Sequence, residues 1–371
     1  MRRIIRMLRI PLFWGCLAGI AAPCVWAQHA MATPSPALLV LSKADHVLSI
    51  VDPATLVVVA RVPSGPDPHE VIASADGARA YISNYGSGAY NTITVVDLVR
   101  QTALPAIDLG ALRGPHGLDF AAGKLWFTAE AAKAIGRVDP ATGAVDLILG
   151  TGQNRTHMLA VSSDGKRVVT TNVNSGTVSI LEQTPGQGGR GPSGRRGPPP
   201  RALDVPASPG PPPLPPPDWS ETVVRVGNGA EGFDISPDAR EAWVANAQDG
   251  TISVIDLTAK RVTQTIAAGV GGANRLKFTP DGTMVLVSTL TGSDVTVLRA
   301  ATRTVVKRIP VGHGSAGILM QPNGTRAFVA CTADDYVAVI DMTSLAVSGR
   351  VSGGKQPDGL AWAVRRSLDR R

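Results

Sequence analysis

Apolar residues in this chain fall into short runs bounded by turn-forming residues, which is the pattern of strands. One such stretch is Ala242-Trp243-Val244-Ala245-Asn246, followed after a turn by Ile252-Ser253-Val254-Ile255-Asp256. Similar text returns as Ala80-Tyr81-Ile82-Ser83-Asn84 before Ile93-Thr94-Val95-Val96-Asp97, and as Val168-Val169-Thr170-Thr171-Asn172 before Val178-Ser179-Ile180. It returns again as Ala327-Phe328-Val329-Ala330 before Val337-Ala338-Val339-Ile340-Asp341. The residue closing the third strand of each repeat is Asp52, Asp97, Asp139, Glu182, Asp256, Arg299 and Asp341, so the spacing is about 42 residues with one long gap. Asp76-Gly77, Asp164-Gly165, Asp281-Gly282 and Asn323-Gly324 mark hairpin turns between the first and second strands. Pro237-Asp238-Ala239 and Ala122-Gly123 take the same place in two other repeats.

Four short strands per period, repeated seven times, predict an all-β fold: a seven-bladed β-propeller of four-stranded antiparallel blades over residues 37–364. The chain enters mid-blade, because residues 38–62 supply three strands and lack the innermost one. Gln356-Pro357-Asp358-Gly359-Leu360 opens a further unit that stops, so residues 360–364 are expected to complete the first blade and close the ring. The long gap is an insertion at 184–218 that interrupts the fourth blade. It is Gly/Arg-rich over 186–197 and Pro-rich over 198–217, a composition read as a disordered or polyproline loop.

These repeats resemble the YVTN β-propeller repeat family across nearly all of residues 37–364. The resemblance implies a WD40-like ring, shared with propellers of the quinoprotein amine dehydrogenase β-like type. It says little about function, because one fold hosts many chemistries. Some relatives are credited with DNA binding.

Composition supports a folded, turn-rich chain: hydrophobic residues are 44%, charged residues 18%, with 40 Gly and 29 Pro in 371 residues. Residues 1–9 carry Arg2, Arg3, Arg6 and Arg9 and no acid; an apolar stretch follows over 10–22, and Val25-Trp26-Ala27 offers small residues at −3 and −1. That is a secretory signal over 1–27, with a retained N-terminal anchor as the alternative. A short segment, 28–36, then leads into the propeller. The expected location is periplasmic or secreted, and the processed chain is expected not to be integral to the membrane and to be a monomer. Cys16 and Cys24 leave with the signal, and Cys331 sits in an apolar strand as a buried structural thiol.

The formal net charge of +7 invites a nucleic-acid reading. Its arginines, however, concentrate in the signal, in the insertion (Arg190, Arg195, Arg196, Arg201) and in the tail at 365–371. Together these segments carry more than the whole excess, so the repeats themselves are slightly acidic. A nucleic-acid surface would place its basic residues on the folded face, so this reading ranks last.

The candidate chemistry is positional. The residue that precedes the first apolar position of each inner strand by two reads, blade by blade, Asp358, His69, His116, His157, Glu231, Asn274 and Ala316. In a propeller these positions face one mouth of the central channel. Three successive histidines followed by a glutamate have the ligand types of a divalent first-row transition metal, and His69, His116, His157 and Glu231 are the candidate ligands. A small anionic or carbonyl ligand is the alternative, with Arg155 and Arg275 nearby for charge. The broader ligand set comprises His69, His116, His157, Glu231, Asn274, Arg275 and Asp358. His313 is a weaker candidate for the same rim, and His29 and His46 lie elsewhere. The recurring Asp after the third strand is read as a turn cap rather than a catalytic series. No nucleophile elbow, phosphate loop or paired Cys is present. The sequence therefore predicts a binding scaffold for a protein or small-molecule ligand at a His/Glu-lined mouth. The alternative is a metal- or cofactor-dependent enzyme of lactonase, lyase or oxidoreductase type using that mouth.

Overall fold

The computed structural model describes residues 31–184 and 218–365. The expected signal at 1–27, the interior of the insertion and all but the first residue of the tail lie outside the described residues. Within them, seven four-stranded antiparallel sheets form the blades, the all-β seven-bladed propeller that the repeats predict. No helix among the described residues is long and apolar enough to cross a membrane.

The sequence pattern explains the layering. In each blade the second and third strands are buried on both faces because neighbouring blades cover them, so they read as near-continuous apolar runs. The outer strands, such as Thr102–Asp108 and Thr304–Pro310, have one sheet edge and much of their surface in water, and their residues are largely exposed. Aromatics bridge from the second strand of one blade to the inner strand of the next. Tyr81 stacks on Phe120 at 5.9 Å, Trp243 meets Phe278 at 5.4 Å and Phe328 meets Trp362 at 5.5 Å between ring centroids.

Inner strands pack backbone against backbone around the channel. A Cβ on Gly232 would lie 2.2 Å from the Asn274 carbonyl oxygen of the next blade. Gly117, Gly317 and Gly359 face carbonyls of His157, Asp358 and His69 in the same way. Gly232→Ala is accordingly expected to lower stability by roughly 1–3 kcal/mol through overpacking. Urea unfolding of the variant checks this, and an unchanged midpoint would contradict it.

Turns follow the expected chemistry. The carboxylates of Asp52, Asp97, Asp139, Asp256 and Asp341 accept backbone N–H bonds from residues two or three ahead, so they cap turns. Gly77, Gly165, Gly282 and Gly324 take left-handed φ of 67–74° in the first hairpins. Ring closure is one-plus-three: the strand Pro357–Ala363 pairs with Ala37–Ser42, with Leu38 opposite Trp362. Thr184 pairs with Asp218, so the insertion leaves and rejoins at one hairpin end in blade 4. Cys331 is buried and free, and burial pushes its thiol pKa up to about 11, as suits a structural thiol.

Candidate functional site

The second residue of each inner strand is the predicted mouth position: Asp358 in blade 1, then His69, His116, His157, Glu231, Asn274 and Ala316 in blades 2 to 7. All seven line one cavity of about 140 Å³. Hydroxyls on the second strands fix their backbone. Thr128 Oγ1 donates to the His157 carbonyl at 2.6 Å, Thr171 Oγ1 to that of Glu231 at 2.7 Å and Ser288 Oγ to that of Ala316 at 2.6 Å.

The side chains do not converge as one set of four. The His116 and His157 rings are in contact, with centroids 3.9 Å apart. His157 Nδ1 is hydrogen-bonded to Glu130 Oε1, and its Nε2 lies 3.0 Å from Glu231 Oε1 as an ion-pair contact out of line for a hydrogen bond. One donor atom each from His116, Glu130 and His157 lies within 4.8 Å of the others, and all three residues are buried. His69 stands beside this group, its ring 5.0 Å from that of His116. Its nitrogens, however, face Asp67 Oδ1 at 3.3 Å and Asp358 Oδ2 at 3.8 Å. His313 is exposed on Asp334, away from the cavity.

Electrostatics set the charge states. Burial, with His157 and His69 close by, holds the His116 pKa well below the usual imidazole value, so this ring is neutral. Its Nδ1 is buried with no partner among the described residues, and an unsatisfied buried polar atom calls for an explanation. Burial alone would discharge His157 too, but Glu231 and Glu130 outweigh it and raise the pKa. For Glu231, burial acts upward, and His157, Arg155 and Arg275 reverse it to about 2. Glu130 is likewise lowered against its burial, chiefly by the bond to His157. Tyr85 makes T-shaped ring contacts with His69 and His116 and donates to Glu130 Oε2 at 2.6 Å. Burial and that carboxylate push its hydroxyl up to about 12.

Arg275 does not offer free charge to the mouth. Its guanidinium is committed to Glu70 Oε1 and Asn274 Oδ1. Glu70 is in blade 2 and Arg275 in blade 6, so this ion pair crosses the channel. It lies one residue further along the inner strands than the mouth positions, and Arg275 lines the cavity. Lys43 meets Asp358 at 3.3 Å. Arg155 lies on the cavity wall, 3.5 Å from Glu130 Oε2 and 3.6 Å from Glu231 Oε1.

Glu130 and Tyr85 are absent from the sequence-derived set. Both occupy a second register, the residue after each second strand, which reads Lys43, Tyr85, Glu130, Val173, Ala247, Leu290 and Thr332. Aligning repeats at that position as well would have placed the acid beside the histidines. A larger groove of about 900 Å³ lies between blades 2 and 3, at the turn between the first and second strands of blade 2 and the turns between the third and fourth strands of both blades. The acids Asp76 and Asp97 there already cap backbone N–H groups, so the mouth is the stronger site.

Comparison with solved structures gives the same fold at low identity. A protein from Desulfotomaculum acetoxidans DSM 771, described as functionally unknown, matches with TM-score 0.69 and 13% identity over 90% of this chain and 100% of that one. A proposed 6-phosphogluconolactonase of Bacteroides uniformis ATCC 8492 matches with TM-score 0.66 and 15% identity, over 88% of this chain and 99% of that one. Hydrazine synthase of Kuenenia stuttgartiensis matches with TM-score 0.64 and 16% identity over the same shares of 88% and 99%. No curated protein matches the sequence. In sequence, residues 216–326 match the YNCE-like beta-propeller family, and the protein is a seven-bladed β-propeller similar to that family over this stretch.

Proposed function

We propose that the chain is a small-ligand-binding propeller, and that its ligand at the channel mouth is a divalent first-row transition metal held by His116, Glu130 and His157. The observation that carries this is the buried trio itself: two imidazoles and a carboxylate from adjacent blades within 4.8 Å, one of them His116 with an unpartnered buried nitrogen. Imidazole and carboxylate donors suit Zn²⁺, Cu²⁺, Fe²⁺ or Ni²⁺. Three protein ligands leave a position open, as in metal sites that exchange ligands. Glu231 Oε1 stands 3.0 Å from the opposite nitrogen of His157, so a small turn of the ring would give it the outer-sphere role that carboxylates play behind metal-bound histidines.

Charge balance favours a cation over a free anion. The carboxylates of Asp67, Glu70, Glu130, Glu231 and Asp358 outnumber the permanent cations Lys43, Arg155 and Arg275 around the mouth. Two of the similar structures are described as enzymes, but at 15% and 16% identity that likeness carries the fold alone, and no reaction is proposed. The pattern of residues 1–27 supports work outside the cytoplasm.

The test is elemental analysis after equilibration with Zn²⁺ and dialysis. The wild type is expected to retain about one ion per chain at this three-ligand site. His116→Ala should lose affinity by more than about 100-fold, since even outer-sphere partners of metal ligands are worth 10–100-fold. His69→Ala should retain the metal. An empty wild type, or equal loading of His116→Ala, would overturn the reading.

A further inference from the structure

We infer that Arg155 holds a small carboxylate or oxyanion on the open side of the metal, so that the mouth binds a metal first and an anion second. This rests on the metal reading of the site. The residue that leads into each inner strand is, blade by blade, Gln356, Asp67, Gly114, Arg155, Gly229, Gly272 and Gly314, and every one has positive φ, from 42° to 70°. Glycine takes this left-handed conformation freely, whereas other L residues are strained there. Four blades use glycine. Asp67 belongs to a type that tolerates the region, and its Oδ2 also accepts the Gly86 N–H at 2.9 Å. Gln356 donates its backbone N–H to Asp335 Oδ1 at 2.9 Å, whereas the Arg155 side chain makes no hydrogen bond to its own turn among the described residues. Its guanidinium reaches Glu130 and Glu231 only at 3.5 and 3.6 Å, and its side chain is 36% exposed.

Arg155 lines the space of about 140 Å³ together with His116, His157 and Glu231. That volume matches about five waters at roughly 30 Å³ each, which is room for acetate, carbonate or phosphate. A planar guanidinium suits such groups, because its paired N–H donors match two oxygens of one anion. The other mouth cations are engaged, Arg275 by Glu70 and Asn274 and Lys43 by Asp358. The acidic excess around the cavity repels an anion until a divalent cation offsets it, and this sets the order of binding.

The experiment uses full-length protein loaded with Co²⁺, whose visible absorption reports its ligands, titrated with acetate. In the wild type, acetate should change the spectrum saturably. In Arg155→Gly the Co²⁺ spectrum should still form and the melting temperature should equal or exceed that of the wild type. The acetate affinity should fall at least tenfold. Arg155→Lys should fall between the two, keeping the charge and losing the fork. Equal acetate responses in wild type and Arg155→Gly, no response in either, or a lower melting temperature for Arg155→Gly would each overturn the inference. If no Co²⁺ spectrum forms in the wild type, the metal reading has failed first, and the inference falls with it.

Discussion

A chain lacking residues 357–371 is expected to show no cooperative unfolding transition. The strand Pro357–Ala363 is the inner strand of blade 1 and, among the described residues, the only strand of a blade that comes from the far end of the chain. Ala361 and Ala363 sit in one apolar cluster with Leu39, Leu41, Leu48 and Ile50, and Trp362 Nε1 donates to the Met320 carbonyl of blade 7 at 2.8 Å. Its removal exposes Ala37–Ser42, whose six residues are all buried, as an apolar sheet edge facing the channel. Several backbone bonds at about 1 kcal/mol each, added to the lost apolar burial, are comparable to the 5–15 kcal/mol that holds a whole domain folded. Differential scanning calorimetry of the truncated chain decides the matter. An unchanged melting temperature would mean that the ring does not depend on this closure.

Breaking the ion pair across the channel should be the costliest single substitution. Arg275 and Glu70 have side chains only 9% and 14% exposed, so neither can turn to water when the other is lost. Arg275→Met leaves the Glu70 carboxylate buried without a counter-charge, and a cost of about 3–5 kcal/mol follows. The double variant Glu70→Gln with Arg275→Met should recover most of that loss, because it removes the orphaned charge as well. Urea titrations of the single and double variants measure both. A single variant within about 1 kcal/mol of the wild type would place the pair among ordinary surface bridges.

The blades were legible because their determinants are local. A Ser or Thr with Asp-Gly sets the first hairpin, an Asp caps the turn after the third strand, and the middle strands are apolar on both faces. Repetition then turned local pattern into architecture, down to the partial unit at Gly359-Leu360 that closes the ring. The first register of the mouth was legible for the same reason, since equivalent positions in a ring face one axis. Whether those side chains meet was not, because that depends on which partner each finds. His69 turns to Asp67 and Asp358, and His116 and His157 turn to each other and to Glu130. Glu130 hid in a register with no shared residue type. The partner of Arg275 lies 205 residues away, across the axis rather than along the chain. The only trace of that pairing is that the third position of the inner strand is glycine in four blades and bulky at Glu70, Met158 and Arg275.

The most direct test of the metal site is an anomalous difference map at the zinc absorption edge from crystals of the protein grown with Zn²⁺. One strong peak is expected about 2.0–2.2 Å from a nitrogen of His116, a nitrogen of His157 and an oxygen of Glu130. A map with no peak at the mouth, or with zinc held only elsewhere on the surface, would contradict it.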